Sequence, residues 1–121
     1  MVVMNNIRVS RNFLLREFEC KDGSHQVAVK AELIEKLQRL RDLIGQPMIV
    51  TSGYRNQSHN AAVGGAAQSR HLTGEAADVR VAGMHPDEVA QLAAQVGFNG
   101  IGIYNRFTHV DIRPNPARWN G

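Results

Sequence analysis

The segment SRHLTGEAADVR, residues 69 to 80, gathers one histidine, two acids and two arginines into twelve residues. Within it, His71 and Asp78 stand seven positions apart, and Gly74 between them lets the chain turn. A catalytic zinc ion takes three protein ligands, often imidazole nitrogen or carboxylate oxygen, and keeps a fourth position open for water. The segment therefore offers two of the three ligands that such a site needs, and its AADVR end is predicted to be a strand.

A third ligand has to come from another part of the chain, and His109 is the best candidate. It lies in THVDIR, residues 108 to 113, which is predicted to be a strand. Alternate residues of a strand share a face, so His109 and Asp111 point the same way, about 6 to 7 Å apart along the chain. One strand would thus bring a ligand and a spare carboxylate to the same site.

Each of these residues also has a simpler interpretation. A histidine near an acid is often only hydrogen-bonded or exposed, so the spacing of His71 and Asp78 does not by itself require a metal. Asp111 could belong to the solvated face of an edge strand, and Arg55 could form a salt bridge at a strand end. Three other histidines are predicted to lie on the surface: His25, His59 and His85.

Two amphipathic segments predict helices. Residues 29 to 45 carry an apolar stripe at helical spacing and end at Gly45, with Pro47 beyond it. Residues 85 to 98 begin with Pro86 and two acids, and the predicted helix ends at Gly97. Both helices are expected to have a role in the fold and not in the site.

Short apolar segments between and after the helices predict strands at residues 48 to 51, 76 to 81, 100 to 104 and 108 to 113. The last two are separated by three residues and are expected to form a hairpin. The Gly-rich segment 59 to 69 is predicted to be a short helix and a loop. We therefore expect an α+β fold, a small, mainly antiparallel sheet with helices packed on one side.

Composition narrows the class of protein. The 121 residues are 43% apolar and 21% charged, so residues 1–121 are predicted to form a single soluble domain and a monomer. The net charge of +3 comes from scattered basic residues, and this scatter does not support nucleic-acid binding.

No apolar segment is long enough to cross a membrane. The first residues lack a secretory signal, so synthesis in the cytoplasm is expected. Cys20 is the single cysteine, which rules out an internal disulfide.

The segment SRHLTGEAAD resembles the Ser-x-His-x-x-Gly-x-Ala-x-Asp pattern of the zinc D-alanyl-D-alanine peptidases, which share a fold group with lysostaphin-type peptidases and the Hedgehog signalling domain. The five fixed positions all match: Ser69, His71, Gly74, Ala76 and Asp78. Further similar blocks cover nearly the whole chain: NFLLREFECKDG, VTSGYRNQSHNAAVGGA, GFNGIGIY and FTHVDIRPNPARW. They look most like the short phage and bacterial branch of these enzymes.

The resemblance implies a site and a reaction. It implies that Zn²⁺ is bound by His71, Asp78 and His109, that Arg55 holds the substrate or stabilises the oxyanion, and that Ser69 positions the substrate. The implied reaction is hydrolysis of a peptide bond in peptidoglycan stems or cross-links, as a D-Ala-type carboxypeptidase or an endopeptidase. The site of action would be the cell wall, and a phage or prophage lytic enzyme is one setting. A chain this short favours an open cleft and endopeptidase action.

The sequence departs from many of these enzymes at the general base. They carry an acid three residues before the last zinc histidine, where this chain has Arg106. Asp111 is the first predicted replacement as catalytic base, and Glu75 is the second. In the alternative, Asp111 orients His109 from behind and accepts no proton.

Two other functional classes stay open at this point. The missing acid allows a catalytically weak, zinc-containing domain that binds the cell wall without cleaving it. A basic nucleic-acid-binding protein is the third class, and the scattered arginines give it little support.

Overall fold

The computed structural model describes residues 3–121, whose regular structure consists of seven strands, three helices and two short 3-10 turns. The strands are β1 (Arg8–Ser10), β2 (Phe13–Leu14), β3 (Ile49–Ser52), β4 (Ala76–Arg80), β5 (Gly100–Ile103), β6 (Thr108–Asp111) and β7 (Ala117–Asn120). The helices are α1 (Ala31–Ile44), α2 (Gln57–Ala62) and α3 (Pro86–Gln95), and the 3-10 turns are Leu15–Phe18 and Arg70–Thr73.

Five of the strands form one sheet in the order β3-β4-β6-β5-β7. Every neighbouring pair in it is antiparallel except β5 and β7, which are parallel. Strands β1 and β2 form a separate antiparallel ribbon. The predicted α+β class, with a mainly antiparallel sheet and helices packed on it, is confirmed.

Both long helices form where the periodicity predicted them. Helix α1 buries Leu33, Leu37 and Leu40, which lie three or four residues apart on one face. It ends at Gly45, whose φ of 73° is the left-handed conformation that glycine adopts without a steric penalty. Within residues 3–121, no helix has the length and apolar composition needed to cross a bilayer.

Helix α3 begins with a side-chain cap. The Glu88 carboxylate accepts a hydrogen bond from the His85 N–H at 3.1 Å, and His85 Nδ1 donates to the Asp87 carboxylate at 2.7 Å. Pro86 occupies the first turn, where its missing N–H costs no hydrogen bond. His85 thus stands at the helix boundary, as the sequence suggested, and it is exposed.

The five-stranded sheet has one apolar face and one polar face. Val50, Ala77, Val79 and Val110 belong to the same hydrophobic core as the buried residues of α1 and α3. Alternate residues of a strand point to opposite faces, so the intervening side chains of β4 and β6 lie on the face away from α1 and α3. We call this the cleft face, and it carries the candidate site.

Three strands were not predicted from the sequence: β1, β2 and β7. The last of these, β7, adds to the edge of the sheet beside β5, with Trp119 paired to Gly102. Helix α2 begins at Gln57, slightly before the predicted segment, because the Asn56 side chain accepts a hydrogen bond from the His59 N–H and caps it.

Candidate metal centre and cleft

The fold brings His71, Asp78 and His109 together. Asp78 and His109 are directly opposed residues of neighbouring strands β4 and β6. His71 comes from the 3-10 turn Arg70–Thr73, where the Ser69 hydroxyl oxygen accepts a hydrogen bond from the His71 N–H at 3.2 Å. One potential ligand atom from each of the three lies within 4.8 Å of the others. All three residues are buried.

Both imidazoles are oriented by a hydrogen bond on their outer side. His71 Nδ1 donates to the Gly53 carbonyl at 2.7 Å, and His109 Nε2 donates to the Asp111 carboxylate at 2.8 Å. A neutral imidazole carries one N–H, so the other nitrogen of each ring then has a free lone pair. Those nitrogens face Asp78 Oδ1, from which His71 Nε2 is 3.2 Å away and His109 Nδ1 is 3.0 Å away.

This donor set fits a zinc ion. Two imidazole lone pairs and a carboxylate converge on one point, an arrangement that requires either protonated imidazoles or a cation between them. Tetrahedral ligands at the usual zinc bond lengths are about 3.3 Å apart, close to the two separations of 3.2 and 3.0 Å from Asp78 Oδ1. The carbonyl and the carboxylate behind the two rings are the kinds of partner that fix a metal-binding histidine.

The hydrogen bonds within the cluster shift the pKa values of Asp78 and His109. Burial by itself would raise the pKa of Asp78, but hydrogen bonds to His109 and His71 outweigh it and lower that pKa to about 2. Burial would lower the pKa of His109, whereas its hydrogen bonds to Asp111 and Asp78 raise it. A carboxylate held ionised between two imidazoles is suited to receive a cation.

Asp111 lies behind His109 and is fully buried. Arg113 binds both of its oxygens, with Nε 2.8 Å from Oδ1 and Nη2 2.7 Å from Oδ2. Burial would raise the pKa of Asp111, but the bonds from Arg113 and His109 lower it well below its usual value. Gly100 on β5 makes room for this carboxylate, since a Cβ there would lie 1.9 Å from Asp111 Oδ1.

The triad opens into a cavity of about 480 Å³, which we call the central cavity. Among the described residues, Asp78 is the one acid that lines it. Glu75, the second predicted base, instead contacts Thr73, Arg70 at 3.7 Å and Lys30 at 3.8 Å. Neither Asp111 nor Glu75 therefore faces the space where a substrate would react. This placement argues against the predicted general-base role of Asp111 and matches the alternative, in which Asp111 orients His109.

Arg55 lies at the edge of the triad. Its Nη2 is 3.4 Å from Asp78 Oδ2, and Nη1 is 3.3 Å from Asn60 Oδ1. Its backbone N–H also donates to the carbonyl of His71 at 3.1 Å. Arg55 and Ser69 both line the central cavity, so the fold brings both predicted substrate-contacting residues to the site.

An aromatic wall of Tyr104, Phe107 and Trp119 completes the central cavity, and it was not predicted from the sequence. The Trp119 ring lies 5.1 Å from the His109 ring, and its Nε1 donates to the Tyr104 hydroxyl at 2.9 Å. Tyr104 stacks on Phe107 with the ring centroids 4.4 Å apart. The available signal was the alternating glycines of GIGI, since a Cβ at Gly102 would lie 2.4 Å from Trp119 Nε1.

Comparison with known proteins agrees with this site. The sequence profile of the Peptidase M15 family matches residues 8–111. The chain is 38% identical over 81 residues to the zinc D-Ala-D-Ala carboxypeptidase of Streptomyces albus G, an alignment that covers 62% of this chain and 32% of that protein. It is 32% identical over 93 residues to the peptidoglycan L,D-endopeptidase MepK of Escherichia coli K12, covering 71% of this chain and 51% of the relative. The chain thus spans about half or less of the length of these relatives, but the profile covers most of it, and the chain belongs to the peptidase M15 family.

Proposed function

We propose that this chain is a zinc-dependent peptidase that hydrolyses peptide bonds of peptidoglycan at the cell wall. The observation that carries the proposal is the convergence of two imidazole nitrogens and the Asp78 carboxylate at the base of an accessible cavity. The names of the relatives support it, since one is a zinc carboxypeptidase and the other a peptidoglycan endopeptidase.

In this proposal His71, Asp78 and His109 hold the zinc. When bound, zinc supplies Lewis acidity, which polarises a carbonyl group and makes water a better nucleophile at neutral pH. The Gly53 carbonyl and the Asp111 carboxylate each accept the N–H on the outer side of one imidazole, which orients the ring and leaves its other nitrogen toward the site.

Three groups in the cavity are suited to hold the substrate. The Arg55 guanidinium stands beside Asp78, where it can stabilise the oxygen that gains negative charge as the peptide bond is attacked. The Ser69 hydroxyl can still donate its own proton, because its bond to the His71 N–H uses it only as an acceptor. The aromatic wall offers apolar surface to the peptide.

We expect Asp111→Asn to weaken zinc binding by roughly 10- to 100-fold, because the amide is a poorer acceptor for His109 Nε2 and leaves Arg113 without its anionic partner. Excess zinc should then restore most of the activity. Zinc affinity would be measured by competition with a chromogenic chelator, with the exposed Asp42→Asn as control. If zinc affinity is unchanged and activity is low and is not restored by zinc, the result would support Asp111 as the general base.

Digestion of purified peptidoglycan tests the function directly. The zinc-loaded protein should release new amino termini, the release should stop on addition of a chelator, and added zinc should restore it. Mass spectrometry of the released peptides would identify the bond that is cut. Absence of cleavage with zinc bound would refute peptidase action on peptidoglycan.

A second candidate is a zinc-containing domain that binds the wall without turnover. One observation favours it, namely that no acid besides Asp78 lines the central cavity in residues 3–121. Retention of the protein on insoluble peptidoglycan without release of amino termini would support this candidate. The single domain, the monomeric state, cytoplasmic synthesis and a phage origin stay predictions.

A further inference from the structure

A second and larger cavity adjoins the central one. It has a volume of about 970 Å³, and Phe107 lines both, so the two cavities meet at this ring. The larger cavity lies around the ends of β4 and β6, the start of α3 and the turn that joins β5 to β6. We call it the basic groove because Arg80 and Arg106 contribute to its lining.

The strand geometry connects the basic groove to the triad. Arg80 follows Asp78 by two residues on β4, so the two side chains share the cleft face, about 6 to 7 Å apart along the strand. Likewise, Phe107 precedes His109 by two residues, and Arg106 lies in the turn beside it. A peptide that crosses the triad toward this end of the sheet therefore passes Phe107 and reaches the two arginines.

The two arginines have no carboxylate partner within residues 3–121, and both are exposed. Other arginines near the site are paired: Arg55 with Asp78, Arg70 with Glu75 and Arg113 with Asp111. Glu88 also lines the groove, but its carboxylate accepts the His85 N–H at 3.1 Å as part of the helix cap. His85 pairs with Asp87 at 2.7 Å. The groove thus presents two guanidinium groups that are free to bind an anion.

We propose that the basic groove is a second substrate subsite, in which Arg80 and Arg106 bind a carboxylate group of the peptide on one side of the bond that is cut. Guanidinium groups bind carboxylates through paired hydrogen bonds, which position as well as attract the partner. Phe107 packs against the stretch of peptide that spans the two cavities. The subsite rests on the proposed function, because it assumes that the peptide reacts at the triad.

The test compares a peptide that carries carboxylates with the same peptide lacking them. A synthetic peptidoglycan stem peptide with free carboxylates and its fully amidated form are given to the zinc-loaded protein and to the double variant Arg80→Gln, Arg106→Gln. Arg39→Gln, which removes an exposed arginine of α1, is the matched control. We expect the double variant to raise KM for the free carboxylate peptide about tenfold with kcat little changed. KM for the amidated peptide should be the same in all three proteins.

A binding measurement separates the subsite from the reaction. With zinc removed by a chelator, fluorescence anisotropy gives Kd for the labelled peptides without hydrolysis, and Kd for the free carboxylate peptide should also rise about tenfold in the double variant. If the double variant binds both peptides as the unaltered protein does, or if the unaltered protein does not prefer the carboxylate form, the subsite is refuted even when cleavage occurs. If the preference is present and depends on the arginines but the zinc-loaded protein cleaves nothing, the subsite stands and the peptidase proposal fails.

Discussion

Replacing His71, Asp78 or His109 by alanine is expected to abolish stoichiometric zinc binding and, with it, peptide hydrolysis. Each residue supplies one of three converging donor atoms, and the cavity offers no fourth histidine or acid in residues 3–121 to take its place. The effect should exceed the roughly 10- to 100-fold loss that follows when a residue behind a ligand is changed. Circular dichroism would check that the variants are folded.

Zinc content by emission spectrometry is the direct measurement, and fluorescence provides a second one. Trp119 is the single tryptophan, and its ring lies 5.1 Å from that of His109, so its emission should respond to titration with metal. The matched controls are alanine variants of the three remaining histidines, which should retain zinc: His25, His59 and His85. Near-stoichiometric zinc in a variant lacking all three proposed ligands would disprove the assignment.

Arg55→Ala is expected to lower kcat by on the order of 100-fold or more while zinc content stays nearly intact. The guanidinium is 3.4 Å from Asp78 Oδ2, so it lies next to the point where the peptide carbonyl would have to approach the triad. A donor aimed at the oxygen of the carbonyl contributes mainly when that oxygen becomes negative, so the loss should appear in kcat more than in KM.

The conservative variant Arg55→Lys separates charge from geometry. It keeps the positive charge but cannot reproduce the contacts of the planar guanidinium with Ser52, Asn60 and Asp78, and should recover only part of the rate. Zinc content must be measured alongside, because Arg55 touches a proposed ligand. Turnover that is unchanged in Arg55→Ala would exclude the role in oxyanion stabilisation.

Most of the helices and strands could be predicted from local sequence patterns. The apolar periodicity of α1 and α3 and the segments of β4, β5 and β6 are encoded within a few residues of each element, so they could be predicted. Strand β7 could not, because ARWN has little strand character and is held by parallel pairing to β5, some 17 residues earlier in the chain. The ribbon of β1 and β2 is too short to produce a clear alternation.

The site likewise contains residues that could be predicted from local sequence and one placement that could not. The short motif around His71 and Asp78 predicted two members of the cluster, and strand alternation placed His109 and Asp111 on one face. Alternation could not show that Asp111 lies behind His109 and not in the cavity. That depends on Arg113, which holds the carboxylate, and on Gly100 of the adjacent strand, which leaves space for it.

Strands β4 and β6 alternate residue by residue between the core and the cleft face, and this restricts how the protein can diverge. Inserting or deleting one residue within β4 would turn Asp78 into the apolar interior and push Val79 out toward the cavity. A substitution at Arg80, by contrast, leaves every core contact in place. New specificities in proteins built this way are therefore expected to arise from point changes on the exposed face and from length changes in the connecting loops, whereas the lengths of the two central strands stay fixed.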